Sequence, residues 1–271
     1  MDNKISWVDE IYKYGEALFW EPQMINRQAN KQDKSKITPE DVFNKLRRWE
    51  VSLNIPFNIL MRLLPSQIKK DILNIFFKDN VELENIKSVN FYGIMGDMDG
   101  LTQPDVTLSS ENSNIFIELK INATLTLQQI TKYLLAHLFW KEKEGNAKKS
   151  YLLLLGKDSL SKQWDAKERK LIFDDKSNDI LNLYNYLIKR DILDYKEDLK
   201  GQYKNLIPEN ELKFKPICEN VIIGWSSWKE VGNLLKNKSN GLDPIKDETV
   251  KMLIDDFLDE LKVRKLWELE S

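Results

Sequence analysis

A continuous apolar run in the middle of the chain places the strongest constraint on the fold. Residues 149–156 read Lys-Ser-Tyr-Leu-Leu-Leu-Leu-Gly, and we expect them to form a strand. A run without alternating polar residues is typical of a strand that is covered on both faces, as in sheets flanked by helices. Amphipathic helical patterns occur on both sides of it, so the sequence predicts an α/β protein.

Two segments upstream of this run alternate apolar and polar side chains, and we expect them to form a hairpin. They are residues 104–109 and 114–121, joined by a run of serine and asparagine that is typical of a turn. Successive side chains of a strand point to opposite faces, so Glu118 and Lys120 share one face, about 7 Å apart. The hairpin would bring Asp105 beside Glu118.

These three side chains suit one kind of chemistry. Two carboxylates held close together repel each other unless a cation lies between them. Mg²⁺ and Mn²⁺ prefer hard oxygen ligands and usually bind few carboxylates together with a substrate phosphate. Lys120 would add a positive charge beside the attacking water or the phosphate. The alternative for an acid and a lysine on one strand is a solvated face with a weak ion pair.

A helix is predicted directly after the second hairpin strand. Thr126 and Gln129 fit a capping box, and Gln129 and Tyr133 lie four residues apart, on one helical face. Capping and core packing explain both residues, but they are also placed to orient a site or to contact a nucleic-acid strand. His137, the single histidine, is one turn further along, where a packed or half-exposed position is the simplest interpretation.

In this order, Pro104-Asp105, residues 118–120 (Glu-Leu-Lys) and Gln129-x-x-x-Tyr133 resemble the PD-(D/E)xK nuclease superfamily. The last pair is similar to the extra motif of its RecB-like branch. The resemblance is dense over about 30 residues, which is more than the two-part motif alone provides. It implies a restriction-endonuclease-like αβββαβ core, with a mixed central sheet, flanking helices and an N-terminal helical elaboration.

The resemblance also implies an activity and a role for each residue. It implies divalent-metal-dependent hydrolysis of phosphodiester bonds in DNA and, less often, in RNA. Asp105 and Glu118 would hold Mg²⁺ or Mn²⁺ together with the backbone carbonyl of Leu119, and Lys120 would assist catalysis. By the same resemblance Gln129 and Tyr133, named above, would orient the substrate.

Many members of the superfamily carry a further glutamate on a helix before the first core strand, and here its identity stays open. The acids on candidate preceding helices are Glu16, Glu40, Glu50 and Asp71. The alternative to an enzyme is a catalytically inactive nuclease-like fold that binds nucleic acid or a protein partner. A structural or regulatory α/β protein with the final helix as a partner surface is a third reading.

Composition bounds these alternatives. The chain has 271 residues, 42% of them hydrophobic and 31% charged, and a net charge of −2, so it has no global basic footprint of the kind that nucleic-acid binders often show. One cysteine, Cys218, excludes an intrachain disulfide and argues against structural zinc. No apolar run approaches the ~20 residues of a membrane span, and the N-terminus lacks a signal-peptide pattern. We therefore expect a cytoplasmic protein with no membrane partner, and a homodimer stays open.

The simplest organisation is one α/β domain over residues 1–271. Its parts would be a helical N-terminal part (1–85), a nuclease-like core (86–235) and a C-terminal helix (236–271). Trp225 and Trp228 could stack on bases, although tryptophan is more often a core or interface anchor. Helices are predicted at about 6–20, 38–48, 65–77, 160–172, 177–198, from 227 onwards and 248–267, and further strands at 86–93 and 220–225.

Overall fold

The computed structural model describes residues 6–9, 11, 50–77, 83, 85–88, 104–121, 129, 132–134, 136–137, 140, 148–157 and 221–268, without the side chains of residues 50 and 51. The chain divides into two compact units, one made of Met1–Leu64 with Gly232–Ser271 and the other of Pro65–Val231. The prediction of a single domain over residues 1–271 stays a prediction.

The second unit contains a mixed sheet of five strands among the described residues. They are β1 (Lys87–Ser88), β2 (Val106–Ser109), β3 (Ser113–Leu119), β4 (Lys149–Gly156) and β5 (Val221–Ser227), in the spatial order β1-β2-β3-β4-β5. The pairs β1–β2 and β2–β3 are antiparallel, and β3–β4 and β4–β5 are parallel. The α/β class, the mixed sheet and the flanking helices are thereby confirmed.

The central strands are covered on both faces, as the apolar run predicts. All seven residues of β3 are buried, and so are the seven that follow Lys149 in β4. On one face, Phe116 stacks on Trp140 at 5.3 Å between ring centroids. On the other face, Phe77 meets Tyr151 edge to face at 5.6 Å. Because alternate side chains of both strands find apolar partners, burial of the two faces holds these strands in the middle of the sheet.

Helical segments precede, interrupt and follow the strands along the chain. Helix α2 (Ser66–Asn74) starts after Pro65, whose φ of −54° and ψ of 145° turn the chain into the helix, and it buries Ile68, Ile72 and Leu73. Between β3 and β4, residue 129 and the described residues between 132 and 140 are helical. Helix α3 (Trp228–Gly241) begins immediately after β5.

The first unit contains α1 (Glu50–Leu63) and α4 (Glu248–Val263). Phe57 of α1 packs against Phe257 of α4 at 5.8 Å. A buried ion pair joins Arg264 to Glu260 at 2.6 Å, and Arg264 also donates to the Ser52 hydroxyl at 3.0 Å. Near the N-terminus, Trp7 donates its backbone N–H to Asp256 at 3.0 Å, which ties the two ends of the chain together in this unit.

Most predicted elements that fall on described residues are confirmed. The predicted helices at 65–77, from 227 onwards and at 248–267 correspond to α2, α3 and α4, and the strands at 149–156 and 220–225 to β4 and β5. Of the strand predicted at 86–93, residues 86–88 are described, and Lys87–Ser88 form β1. The helices predicted at 38–48, 160–172 and 177–198 lie outside the described residues, and so does most of the one at 6–20. Within the described part of the chain, no helix has the length and apolar character needed to cross a membrane.

Candidate active site

The β2–β3 register brings Asp105 and Glu118 together, as the hairpin prediction requires. Val106 is the Cα partner of Ile117, so one step outward Asp105 stands opposite Glu118. Asp105 accepts a hydrogen bond from the backbone N–H of Leu119 at 2.8 Å from Oδ2. This bond holds the Asp105 carboxylate against the end of β3, beside the main chain of the Glu-Leu-Lys segment.

Glu118 and Lys120 form a nearly buried ion pair. The distance between Lys120 Nζ and Glu118 Oε1 is 2.7 Å, and the two side chains are only 8% and 5% exposed. The alternation of β3 puts both on the same face, as predicted. The solvated surface pair that was the alternative does not apply, because both groups are withdrawn from water.

Gln129 and Tyr133 also converge on Glu118. Gln129 Nε2 donates to Oε1 at 3.4 Å, and the Tyr133 hydroxyl donates to Oε2. Together with Lys120, these donors contact both oxygens of the carboxylate. In the structure Gln129 and Tyr133 therefore hold the carboxylate of Glu118 in place. The expected role of these two residues in orienting the substrate stays a prediction.

The surroundings of Asp105 disfavour the ionised form of its carboxyl group. Burial, and then the negative charge of Glu118, raise the pKa of Asp105 to about 8, against the smaller opposing effects of the Leu119 N–H and of Lys120. Asp105 is the most accessible of the three ionisable residues, so its carboxyl is also the one best placed to meet a ligand. A divalent cation would relieve this repulsion.

The donor set fits a hard divalent cation. Asp105 and Glu118 supply carboxylate oxygens, and Leu119, whose N–H contacts Asp105, is the residue whose carbonyl was expected as a third ligand. No group of three or more His, Cys, Asp or Glu side chains suited to a metal occurs within the described ranges. Asp71 therefore does not join Asp105 and Glu118 as a third acidic ligand. Its carboxylate accepts a hydrogen bond from the side-chain amide of Gln67 at 2.9 Å. The side chain of Glu50, and all of Glu16 and Glu40, lie outside the described residues.

His137 is a packed residue, in agreement with the simplest interpretation of the sequence. Its ring stacks on Phe116 at 3.9 Å, and Nε2 lies 3.0 Å from the carbonyl oxygen of Tyr151. Because a carbonyl can only accept, Nε2 carries the proton and donates. Burial lowers the pKa of His137 to about 3, so it is neutral at physiological pH.

The sequence patterns do not predict that Trp228 contacts the site. The buried indole of Trp228 donates to the backbone oxygen of Lys120 at 3.0 Å. Trp225, on β5, is half-buried. The two tryptophans follow one another closely in the sequence, but no local pattern distinguishes the one that reaches a residue 108 positions away.

Comparison of the chain with protein-family models, with curated proteins and with solved structures finds no match.

Proposed function

We propose that this protein is a divalent-metal-dependent nuclease that hydrolyses phosphodiester bonds in DNA. The observation that carries the proposal is the convergence of Asp105, Glu118 and Lys120 at one end of β3. The two carboxylates face each other across the hairpin, and the lysine ammonium lies 2.7 Å from Glu118. Hydrolysis of a phosphodiester needs both charge neutralisation at phosphorus and an activated water, and these residue types can provide for both.

Each residue has a distinct part in the proposed mechanism. Asp105 and Glu118, with the Leu119 carbonyl, would hold Mg²⁺ or Mn²⁺. A bound divalent cation supplies an acidified water and neutralises charge on the phosphate. Lys120 places a positive charge beside the reacting phosphate and can give up a proton to the leaving oxygen or restrain the attacking water. Gln129 and Tyr133 fix the orientation of the Glu118 carboxylate.

The topology supports the proposal independently of the motif. From α2 to β5 the described elements follow the order helix, three strands, helical segment, two strands, within a mixed sheet. This order agrees with the αβββαβ core that the resemblance implies. The acids lie where β3 ends, and β3, β4 and β5 run parallel. Crevices outside the carboxyl ends of parallel strands are where open α/β sheets usually bind ligands.

Cleavage assays on matched variants test the proposal. Plasmid and linear DNA, single- and double-stranded, are incubated with the protein in Mg²⁺, in Mn²⁺ and in EDTA. We expect cleavage only with the metals, and a loss of about 100-fold or more in D105N and in E118Q. The control is E111Q, which removes an exposed carboxylate from the turn of the same hairpin and changes the net charge equally. Equal cleavage by all four proteins would exclude the site.

A second candidate function is a nuclease-like module that binds nucleic acid or a protein without cutting. The observation that favours it is that both carboxylate oxygens of Glu118 already have partners. These partners are Lys120, Gln129 and Tyr133. A carboxylate held this closely can serve as the centre of a buried polar network. Retained DNA binding with no cleavage of any DNA or RNA substrate in either metal would favour this function over the nuclease.

A further inference from the structure

Trp228 is hydrogen-bonded to the main chain of Lys120, the proposed catalytic lysine. Its indole Nε1 donates to the carbonyl oxygen of Lys120 at 3.0 Å, and the side chain is fully buried. The N–H of Lys120 donates to the carbonyl oxygen of Leu155 at 2.7 Å. Both main-chain polar groups of Lys120 are thus held at the point where the chain leaves the sheet, directly after β3 ends at Leu119.

The start of α3 fixes the position of the indole. Ser227 donates its backbone N–H to the Glu230 carboxylate at 2.8 Å, and the Glu230 N–H donates back to the Ser227 hydroxyl at 3.2 Å. This reciprocal arrangement is a capping box, which defines how the chain enters a helix. Ser227 is also the last residue of β5 and the Cα partner of Gly156 on β4. Trp228 therefore extends from a junction that is fixed by both the sheet and the helix.

We propose that Trp228 is a positioning residue that aligns Lys120 for catalysis; this inference rests on the proposed function. A lysine ammonium sits on a flexible four-carbon stem, so its place beside Glu118 depends on where the main chain begins that stem. The indole bond supplies that anchor from a residue 108 positions away. A displacement of about 1 Å at a reacting group can cost about 100-fold in rate, so losing the anchor has a catalytic cost. Trp228 is buried and does not itself touch substrate.

The chain offers a matched pair of substitutions for the test. W228F removes the indole N–H and keeps an aromatic ring in the buried space. The control is W140F, because Trp140 is also fully buried and its Nε1 has no hydrogen-bond partner within the described part of the chain. Both variants lose a similar volume, but only W228F loses the bond to Lys120.

The first readout is independent of activity. Labelling lysine carbonyls with ¹³C and isoleucine nitrogens with ¹⁵N gives correlated signals from the three Lys–Ile pairs of the sequence, at 4–5, 36–37 and 120–121. We expect the Lys120 carbonyl signal to move in W228F and to stay in place in W140F. An unmoved signal in W228F overturns the inference.

The second readout is the cleavage kinetics of the folded variants. We expect W228F to lower kcat about 10- to 100-fold and to leave KM within about twofold, because the anchor acts on the reacting group and not on substrate binding. W140F should keep both parameters. A moved carbonyl signal with unchanged kcat, or an equal loss in W140F, reduces Trp228 to a packing residue and overturns the inference. A wild-type protein that cleaves nothing overturns the proposed function itself, and this inference with it, whatever the carbonyl signal shows.

Discussion

Replacing Asp105 by asparagine separates a metal-binding acid from a structural one. In D105N the amide oxygen can still accept the Leu119 N–H, which Asp105 Oδ2 accepts at 2.8 Å. The negative charge that opposes Glu118 is lost. We therefore expect the metal-free variant to be more stable than the wild type while losing cleavage, since acids gathered to bind a cation repel each other in its absence.

The size and sign of the effect follow from the pKa of Asp105. Burial and the charge of Glu118 raise it from 3.8 to about 8. An unfolded chain loses this proton near pH 4, and the folded chain keeps it to about pH 8, so the folded state binds more protons in that window and wild-type stability falls as pH rises through it. The full shift corresponds to about 6 kcal/mol. Solvent reaches the half-buried Asp105 side chain and screens its interactions, which reduces the effect, and we expect a gain of about 1–3 kcal/mol above pH 8.

Urea denaturation of both proteins in EDTA, at intervals from pH 4 to pH 9, measures this gain. The two unfolding free energies should coincide near pH 4 and separate in favour of D105N as the pH rises. Adding Mg²⁺ or Mn²⁺ should then stabilise the wild type and leave D105N unchanged, because a ligand that binds only the folded state raises its stability. A D105N protein that is less stable than the wild type at pH 8 in EDTA would refute this reasoning and make Asp105 a structural acid. E111Q controls for net charge.

Three further substitutions probe the packing around the site and on the opposite face of the sheet. Y133F should lower the unfolding free energy by about 1–3 kcal/mol in urea titrations, because the buried Glu118 carboxylate loses a donor; an unchanged midpoint would contradict this contact. H137F should reduce the loss of unfolding free energy as the pH falls from 7 to 5. In the wild type the His137 pKa is lowered from 6.5 to about 3, which costs the folded state about 2 kcal/mol at pH 5. An equal loss in both proteins would argue against a neutral buried histidine. G224A should destabilise by about 1–3 kcal/mol, because an added Cβ would lie 2.7 Å from the Phe76 carbonyl oxygen and from the Phe77 ring; a thermal melt like that of the wild type would contradict this close approach.

The parts of the site that could be predicted are those that depend on short-range periodicity. Alternation along β3 places Glu118 and Lys120 on one face, and a turn-rich segment between two alternating runs fixes the hairpin that sets Asp105 opposite Glu118. The spacing of Gln129 and Tyr133 puts both on one helical face. Each of these relations extends over fewer than about 30 residues, where strand and helix geometry alone decide which side chains are neighbours.

The relations that could not be predicted connect distant segments. The spacing of Gln129 and Tyr133 indicates a shared face but not the Glu118 carboxylate that this face meets. The bond from Trp228 to Lys120 depends on how β5 and α3 are placed in the sheet, which periodicity does not encode. Helix α1 could not be predicted from the sequence for a different reason. It contains Pro56, and an internal proline removes a backbone donor and usually ends a helical pattern.

The anomalous scattering of a crystal soaked in Mn²⁺ tests most directly whether Asp105 and Glu118 bind a divalent metal together. We expect a single strong anomalous peak between the carboxylates of Asp105 and Glu118, with metal–oxygen distances of about 2.0–2.2 Å, and no peak at this place in D105N. A saturating soak that leaves the Glu118 carboxylate bonded to Lys120, Gln129 and Tyr133, with no anomalous density beside Asp105, would contradict it.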